Sequence, residues 1–368
     1  MLYQDVRMRS TSVQSGGPRR AAFLCLLLAI WMMGRSASAG SQSQSRSKTL
    51  PSPRIDLRPK LVPGEVLRYQ VQLQTITDTK RSGAISDPQG PSRLTVTWDA
   101  TIKLEVLGEP APAAAGSPAP KSAAAKTSVA ESNAAGAALR IRTTYEHSAA
   151  SVKSDSPDPE SENIEETYGR LEGQVIEFTA GADGHVSDVR GLDGVIDDDR
   201  VRQAAEQWME QVSGTAGAPQ AVALGQTWNS AQPATSMPLA GMIWRSISSY
   251  LRNEPCRPAD PNAPAIPDEL CAVILTRQSV LPQKQLHDPT PEDYRRNGLH
   301  TSGRWSGSGE SLSYVSLRTR SAVSVTQDSA QQIDFTVTNA SGNSIRYAGS
   351  IETHSRVALL PADATDSR

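Results

Sequence analysis

The sequence predicts a mainly β fold of the α+β class, with antiparallel sheets and one principal amphipathic helix. Three observations carry this prediction. Polar and apolar residues alternate with period two in stretches spread from Val66 to Leu359, the pattern of strands with one wet face. Gly, Pro, Asn and Asp separate most of these stretches, as turns between antiparallel strands require. One segment, about 198–213, carries convincing helical spacing, through Val201, Ala204, Ala205, Trp208, Met209 and Val212.

Residues 1–39 have the parts of a secretory signal peptide: Arg19-Arg20, an apolar run from Ala21 to Met33, and the small-x-small exit Ala37-Ser38-Ala39. The run is short for a membrane span, which needs about 20 apolar residues. Cleavage between Ala39 and Gly40 is expected, giving a periplasmic or secreted protein with no stable membrane span. The alternative is an N-terminal helix that stays uncleaved as an anchor. Sec export fits better than the twin-arginine route, because Pro18 precedes the pair and Phe23 falls one place late. Cys25 lies inside the apolar run, away from any lipoprotein cleavage point.

Residues 40–58, rich in Ser, Gln and Arg with Pro51 and Pro53, are expected to form a disordered tether. A β-rich first half is expected over 59–220. It opens at Leu61-Val62-Pro63-Gly64 and continues as a hairpin of Val66 to Ile76 with Leu94 to Val106, turning in Gly83 to Pro91. Segment 108–138, mostly Ala, Pro, Ser and Lys, has little to bury and reads as a low-complexity insertion. Strand pattern returns at Ala138 to Tyr145. An acidic stretch (Asp155 to Glu166) follows, then a hairpin of Gln174 to Thr179 with His185 to Val189. Asp197-Asp198-Asp199 cap the helix that follows, where carboxylates suit exposed N–H groups and the dipole.

From Leu224-Gly225-Gln226-Thr227-Trp228 the plan starts again, and a second half is expected over 221–360. Its candidate strands are Ile243 to Leu251, Ala272 to Val280, Ser311 to Arg318, Ala322 to Gln327, Ile333 to Val337 and Ile345 to Leu359. Gly303 to Gly309 reads as a small-residue turn entering a strand. Residues 361–368 read as a disordered tail. Gly173, Phe178 and Val186-Ser187-x-Val189 echo Gly309, Tyr314 and Val323-Ser324-Val325, which leaves open an internal duplication beside convergent hairpin patterning.

Cys256 and Cys271 are the cysteines left once the leader is removed, and an isolated pair in an oxidising compartment predicts a disulfide closing a Pro-rich loop. Thirty-seven basic residues against 39 acidic ones, with no basic stripe, argue against nucleic acid as a partner. The five histidines, at 147, 185, 287, 300 and 354, form no close-spaced ligand pair, and His-Glu-x-x-His is missing. So are Gly-x-Ser-x-Gly, the phosphate-cradling Gly-Lys-Ser/Thr loop and Gly-x-Gly-x-x-Gly. Ser306, in the Gly303 to Gly309 run, lacks the glycine of a nucleophile elbow. Asp193 and Asp197 to Asp199 lack the alternate spacing of a calcium loop. Asn339-Ala340-Ser341 fits a glycosylation acceptor. No catalytic, metal-binding or cofactor-binding residue is therefore assigned, and no cofactor is expected.

The leader, Leu61 to Tyr69, Leu224 to Trp228 and the strand pair within Gly309 to Ala322 resemble, in that order, a group of uncharacterised β-rich exported bacterial proteins. That resemblance implies an envelope protein with no established activity and transfers no catalytic residue. The expected function is non-catalytic binding of an apolar small molecule or an envelope component in a curved β-sheet. A structural adaptor pairing with a protein through a sheet edge is the alternative, and a hydrolase with an unfamiliar site is a third.

Overall fold

The computed structural model of the chain describes residues 54–58, 60–83, 92–108, 138–155, 160–181, 186–191, 221–234, 237–257, 269–282 and 288–361. Alternation of apolar and polar side chains becomes one antiparallel sheet of eleven strands. In chain order these are β2 (Val66–Gly83), β3 (Ser92–Gly108), β4 (Leu139–Ser154), β5 (Val175–Ala180) and β6 (Val186–Arg190), then β8 (Thr227–Pro233), β9 (Met242–Pro255), β10 (Leu270–Pro282), β11 (Leu299–Ser316), β12 (Ala322–Asn339) and β13 (Ser344–Leu359). Two short strands, β1 (Arg54–Ile55) and β7 (Val222–Ala223), pair separately, and the described residues include two helices, α1 (Glu160–Gly169) and α2 (Glu292–Arg296). The spatial order is β6-β5-β4-β3-β2-β13-β12-β11-β10-β9-β8. Each half is a meander, and the two join where β13 lies beside β2. Twist between neighbouring strands accumulates over a sheet this wide, so it coils rather than staying flat.

Both halves open on the same device. Val62 to Glu65 and Ala223 to Gln226 are turns with glycine in the left-handed region, Gly64 at φ 85° and Gly225 at φ 78°. In each, the fourth residue's N–H donates to the first carbonyl, at 2.9 Å, and its side chain accepts from the first N–H. Each turn then docks on the neighbouring strand. Gly64 donates to Val106 and Val106 to Glu65; Gly225 donates to Tyr250 and Tyr250 to Gln226. A helix also precedes β5 in one half and β11 in the other.

The first half builds an apolar core on the inward face. Tyr69, Val71 and Leu73 of β2 meet Val96, Trp98, Ile102 and Leu104 of β3, with Ile141, Tyr145, Ile176 and Phe178 beyond them. Helix α1 closes this core: Ile164 and Tyr168 pack into it, with Trp98 and Tyr168 ring centroids 5.2 Å apart. Trp98 Nε1 donates to Ser148 Oγ at 2.9 Å, and that hydroxyl donates to the Tyr168 carbonyl at 2.7 Å. Beyond β5 the flank of β4 is open, and α1 and the turn after it guard it. Val152 N–H donates to Glu165 at 2.7 Å and Ser148 N–H to Glu172 at 3.2 Å.

Several expectations are corrected. The end of the tether is ordered, because Arg54 and Ile55 pair with β7 and Leu57 is buried against the second half. Part of the acidic stretch, from Glu160, folds as α1, whose Glu165 accepts from the Val152 N–H on the strand flank. Gly303 to Gly309 is no turn: it lies inside β11, each residue paired with β12. The candidate strands Ala322 to Gln327 and Ile333 to Val337 are one strand, β12. The helix expected at about 198–213 lies outside the described residues, as do the leader, the Ala39/Gly40 cleavage point, most of insertion 108–138 and the tail beyond Pro361. Among the described residues α1 is the longer of two short helices. No helix among them is long and apolar enough to cross a membrane.

Candidate functional site on the inward face of the sheet

Residues directly opposite in an antiparallel ladder share a face, so register places side chains in transverse rows. One inward row crosses seven strands as Thr75, Thr353, Ser329, Gly309, Gln278, Ser246 and Ser230, in the order β2, β13, β12, β11, β10, β9, β8. In the first half the same row continues as Val96 and Val152. The next inward row runs Leu73, Ser355, Gln327, Ser311, Thr276, Ser248 and Trp228. The inward face of the second half thus carries a polar belt where the first half carries an apolar core.

The belt is deeply buried: Thr75 and Thr353 are 0% exposed, Gln327 2% and Ser329 6%. Tyrosine and tryptophan aside, the buried polar side chains among the described residues are all Ser, Thr or Gln, and no Asp, Glu, Lys, Arg or His is buried. Ser248 and Thr276 pair their hydroxyls at 2.9 Å, and Gln331 accepts from Trp305 Nε1 at 2.8 Å. Others have no partner. Thr75 Oγ1, Thr353 Oγ1, Ser329 Oγ and Gln278 Oε1 on the first row, and Gln327 Nε2 on the second, make no hydrogen bond. Buried polar groups are nearly always paired, so five such atoms on two adjacent rows mark this face out.

Apolar clusters bound the belt. Toward one end of the strands lie Trp244, Val280, Trp305, Ile333, Phe335 and Ile351, with Phe335 stacked between Trp305 and Tyr347. Toward the other lie Tyr250, Ala272 and Ile274, covered by Leu57 and Val222 of the β1–β7 pair. Helix α2 buries none of its residues, so it does not seal this half as α1 seals the other. Glycine shapes the belt too: a side chain on Gly307 would strike Gln331, which lies over it.

The outward face is different in kind. Cross-strand charge pairs cover it, among them Arg68–Glu146 at 3.0 Å, Arg277–Glu310 at 3.0 Å and Arg346–Asp334 at 2.7 Å. An open cleft of about 620 Å³ crosses it between Gln72, Asp99, His354, Arg356 and Asp328. There Asp99 accepts from the Gln72 amide at 3.1 Å and His354 pairs with Asp328 at 2.6 Å. These groups satisfy one another, and no hydroxyl in the cleft is bonded to the histidine. His147 pairs with Glu172 at 3.1 Å, far along the sheet from His354. His185 and His287 lie outside the described residues. Among the described residues no group of three or more His, Cys, Asp or Glu could hold a metal ion. Ser306 points outward from mid-β11, opposite Gln332.

The disulfide between Cys256 and Cys271 is formed, with both residues fully buried and Cα atoms 4.9 Å apart. It ties β9 to β10 beside Val323 and Tyr314. Next to it the Arg252 guanidinium, then the Tyr314 hydroxyl, holds the Glu254 carboxyl below the usual carboxylate range. Asn339 ends β12, its side chain accepting from the Ser341 and Asn343 N–H groups at 3.0 Å within the turn to β13.

Sequence reasoning missed the belt. The available signal was Thr276-Arg277-Gln278 and Gln327-Asp328-Ser329, where polar residues hold both faces of a strand and one face must be inward.

No family model and no curated protein matches the chain. Among solved structures it is similar to lipovitellin, described for its lipid–protein interactions, at 10% identity and a TM-score of 0.39, over 83% of this chain and 26% of that one. The chain thus spans about a quarter of the lipovitellin chain. It is also similar to the outer membrane protein OprG from Pseudomonas aeruginosa, at 6% identity and a TM-score of 0.17, over 82% and 97% of the two chains. DynF from the dynemicin biosynthesis pathway of Micromonospora chersina gives 9% identity and a TM-score of 0.16, over 89% and 97%. At scores this low the likenesses carry no argument about function.

Proposed function

We propose that the protein is an exported, non-catalytic binding protein that holds a ligand with apolar character against the inward face of its sheet. The observation that carries this reading is the inward face itself: wide, neutral, apolar at both ends, and polar without internal pairing at its middle. Ligand sites are mostly apolar with a few converging polar groups, which matches this layout. Residues 1–39 act as a cleaved leader and residues from Gly40 to about 53 as a tether, after which the chain joins the sheet. The oxidised Cys256–Cys271 pair fits an oxidising compartment. A strand-built membrane pore fits poorly, because lipid-facing strand positions are apolar and the outward positions here carry Arg68, Glu146, Arg277 and Glu310. The shared opening turns and the helix before β5 and β11 support descent of the halves from one duplicated unit. Strand-pairing adaptors need a long free edge, whereas β6 and β8 are short and the flank of β4 is occupied by glutamates.

Native mass spectrometry of the protein exported by a host cell and purified without detergent tests this reading. A polypeptide beginning at Gly40, oxidised at both cysteines and carrying a small molecule that organic extraction removes, is the expected result. A bare polypeptide mass from several host envelopes refutes ligand binding, and a stoichiometric protein partner favours the adaptor.

A further inference from the structure

We infer that the ligand is an uncharged amphiphile whose hydroxyl or amide head lies on the row Thr75, Thr353, Ser329 and Gln278. This deepens the binding reading above and rests on it. The four side chains face the same way from β2, β13, β12 and β10, spaced by strand separations of about 4.8 Å. Each offers a polar atom that nothing in the protein engages, and all four residues are at least nine-tenths buried. Gly309 stands between Ser329 and Gln278 in the row and adds no side chain there. Three hydroxyls both donate and accept, and Gln278 Oε1 accepts. Together they match a head with several O–H or N–H groups.

Charge selects among amphiphiles. A carboxylate or phosphate on this row would meet no buried counter-charge among the described residues, where no Lys, Arg or His is buried. An unpaired buried charge is far more expensive than an unpaired hydroxyl. The apolar part has apolar neighbours in Ile351 and Trp305, toward one strand end. A neutral acylglycerol-like molecule meets these conditions and a fatty-acid anion does not.

The test compares 1-monodecanoylglycerol with decanoate at about pH 8, where the acid is ionised, each below its aggregation concentration. Affinities for the exported full-length chain are read by tryptophan fluorescence and calorimetry. The neutral probe is expected to bind about ten-fold more tightly, the effect of one or two buried hydrogen bonds. In the Thr353→Val/Ser329→Ala variant that preference should shrink to under about three-fold, with decanoate affinity unchanged. Thr75→Val is the second variant, and far-UV circular dichroism confirms folding of each. Equal or tighter decanoate binding overturns the head-group assignment while leaving ligand binding standing, as does a preference that survives both variants. Failure of 1-monodecanoylglycerol to bind overturns this inference, and a bare mass in the native experiment above separately removes the broader reading.

Discussion

Replacing Thr353 by valine is expected to stabilise the protein. Its Oγ1 is completely buried and has no partner, so the folded chain bears the desolvation of a hydroxyl with no bond in return. That penalty is about 1–3 kcal/mol. Valine fills nearly the same shape and exchanges the hydroxyl for a methyl, whose burial is favourable by about 0.8 kcal/mol. A net gain of about 2–4 kcal/mol follows, or an upward shift of about 4–8 °C in Tm for a chain of this size. Thr75 faces Thr353 directly across the β2–β13 ladder, so Thr75→Val acts in the same direction, and the double variant departs from additivity because the two sites touch. The contrast is Ser248→Ala, one row away, which strands the Thr276 hydroxyl now paired at 2.9 Å and is expected to lower stability by about 1 kcal/mol. Urea unfolding followed by circular dichroism measures all four proteins. Should Thr353→Val lose about 1 kcal/mol or more, its hydroxyl has a partner and the reasoning about the belt is wrong.

Removing the disulfide as the Cys256→Ser/Cys271→Ser pair should lower unfolding free energy by about 3 kcal/mol, the loop-entropy expectation for a separation of 15 residues; an unchanged urea midpoint contradicts it. Glu165→Ala with Glu172→Ala frees the Val152 and Ser148 N–H groups on the flank of β4, and sedimentation velocity should then show more self-association than the parent, a parent-like profile counting against edge protection. Burial raises the Tyr69, Tyr145 and Tyr168 hydroxyls above the usual tyrosine value. The unfolded chain therefore ionises first, and stability should be intact below about pH 10 and fall above it, by up to about 1.4 kcal/mol per pH unit for each tyrosine. Tyr168→Phe, which also deletes an unpaired buried hydroxyl, should lessen that fall, and alkaline unfolding curves of identical slope would refute the assignment.

Much of the sheet was legible because one face is wet. Gln70, Gln72 and Gln74 alternating with Tyr69, Val71 and Leu73 identify β2, and similar patterns located β3, β4, β9, β10 and β13. Reading failed where the inward side chains are themselves polar or missing. In β11, Gly303, Gly307 and Gly309 looked like a turn, yet their lack of side chain suits a strand: a Cβ on Gly303 would collide with the Asp334 carbonyl across the ladder. In β12, Asp328 to Gln332 looked like a break because Gln327, Ser329 and Gln331 give no apolar beat, and because 18 residues is far beyond the usual strand of about 5–6. Helix α1 was hidden by its acidic sequence, in which Glu165 addresses a strand N–H group and Ile164 and Tyr168 are the buried contacts. The candidate site was missed for the same reason as β12, since burial of uncharged polar residues has no periodic signature of its own.

The comparison between halves is the strongest argument that the belt is kept for something other than folding. The two halves open on the same turn with the same three backbone bonds and the same side-chain bond, and one transverse row runs through both. On the first half's side of β2 that row is Val96 and Val152; on the other it is Thr353, Ser329, Gln278 and Ser246. Valine is a strand former and would fill the same positions without an unpaired hydroxyl, so the fold itself gives no reason for threonine, serine and glutamine there. Local rules broken without gain to the fold mark functional positions. The difference in helices points the same way, because α1 packs Ile164 and Tyr168 onto its half whereas α2 buries nothing. One half is finished as a core, and the other turns hydrogen-bonding side chains from six strands onto its inward face.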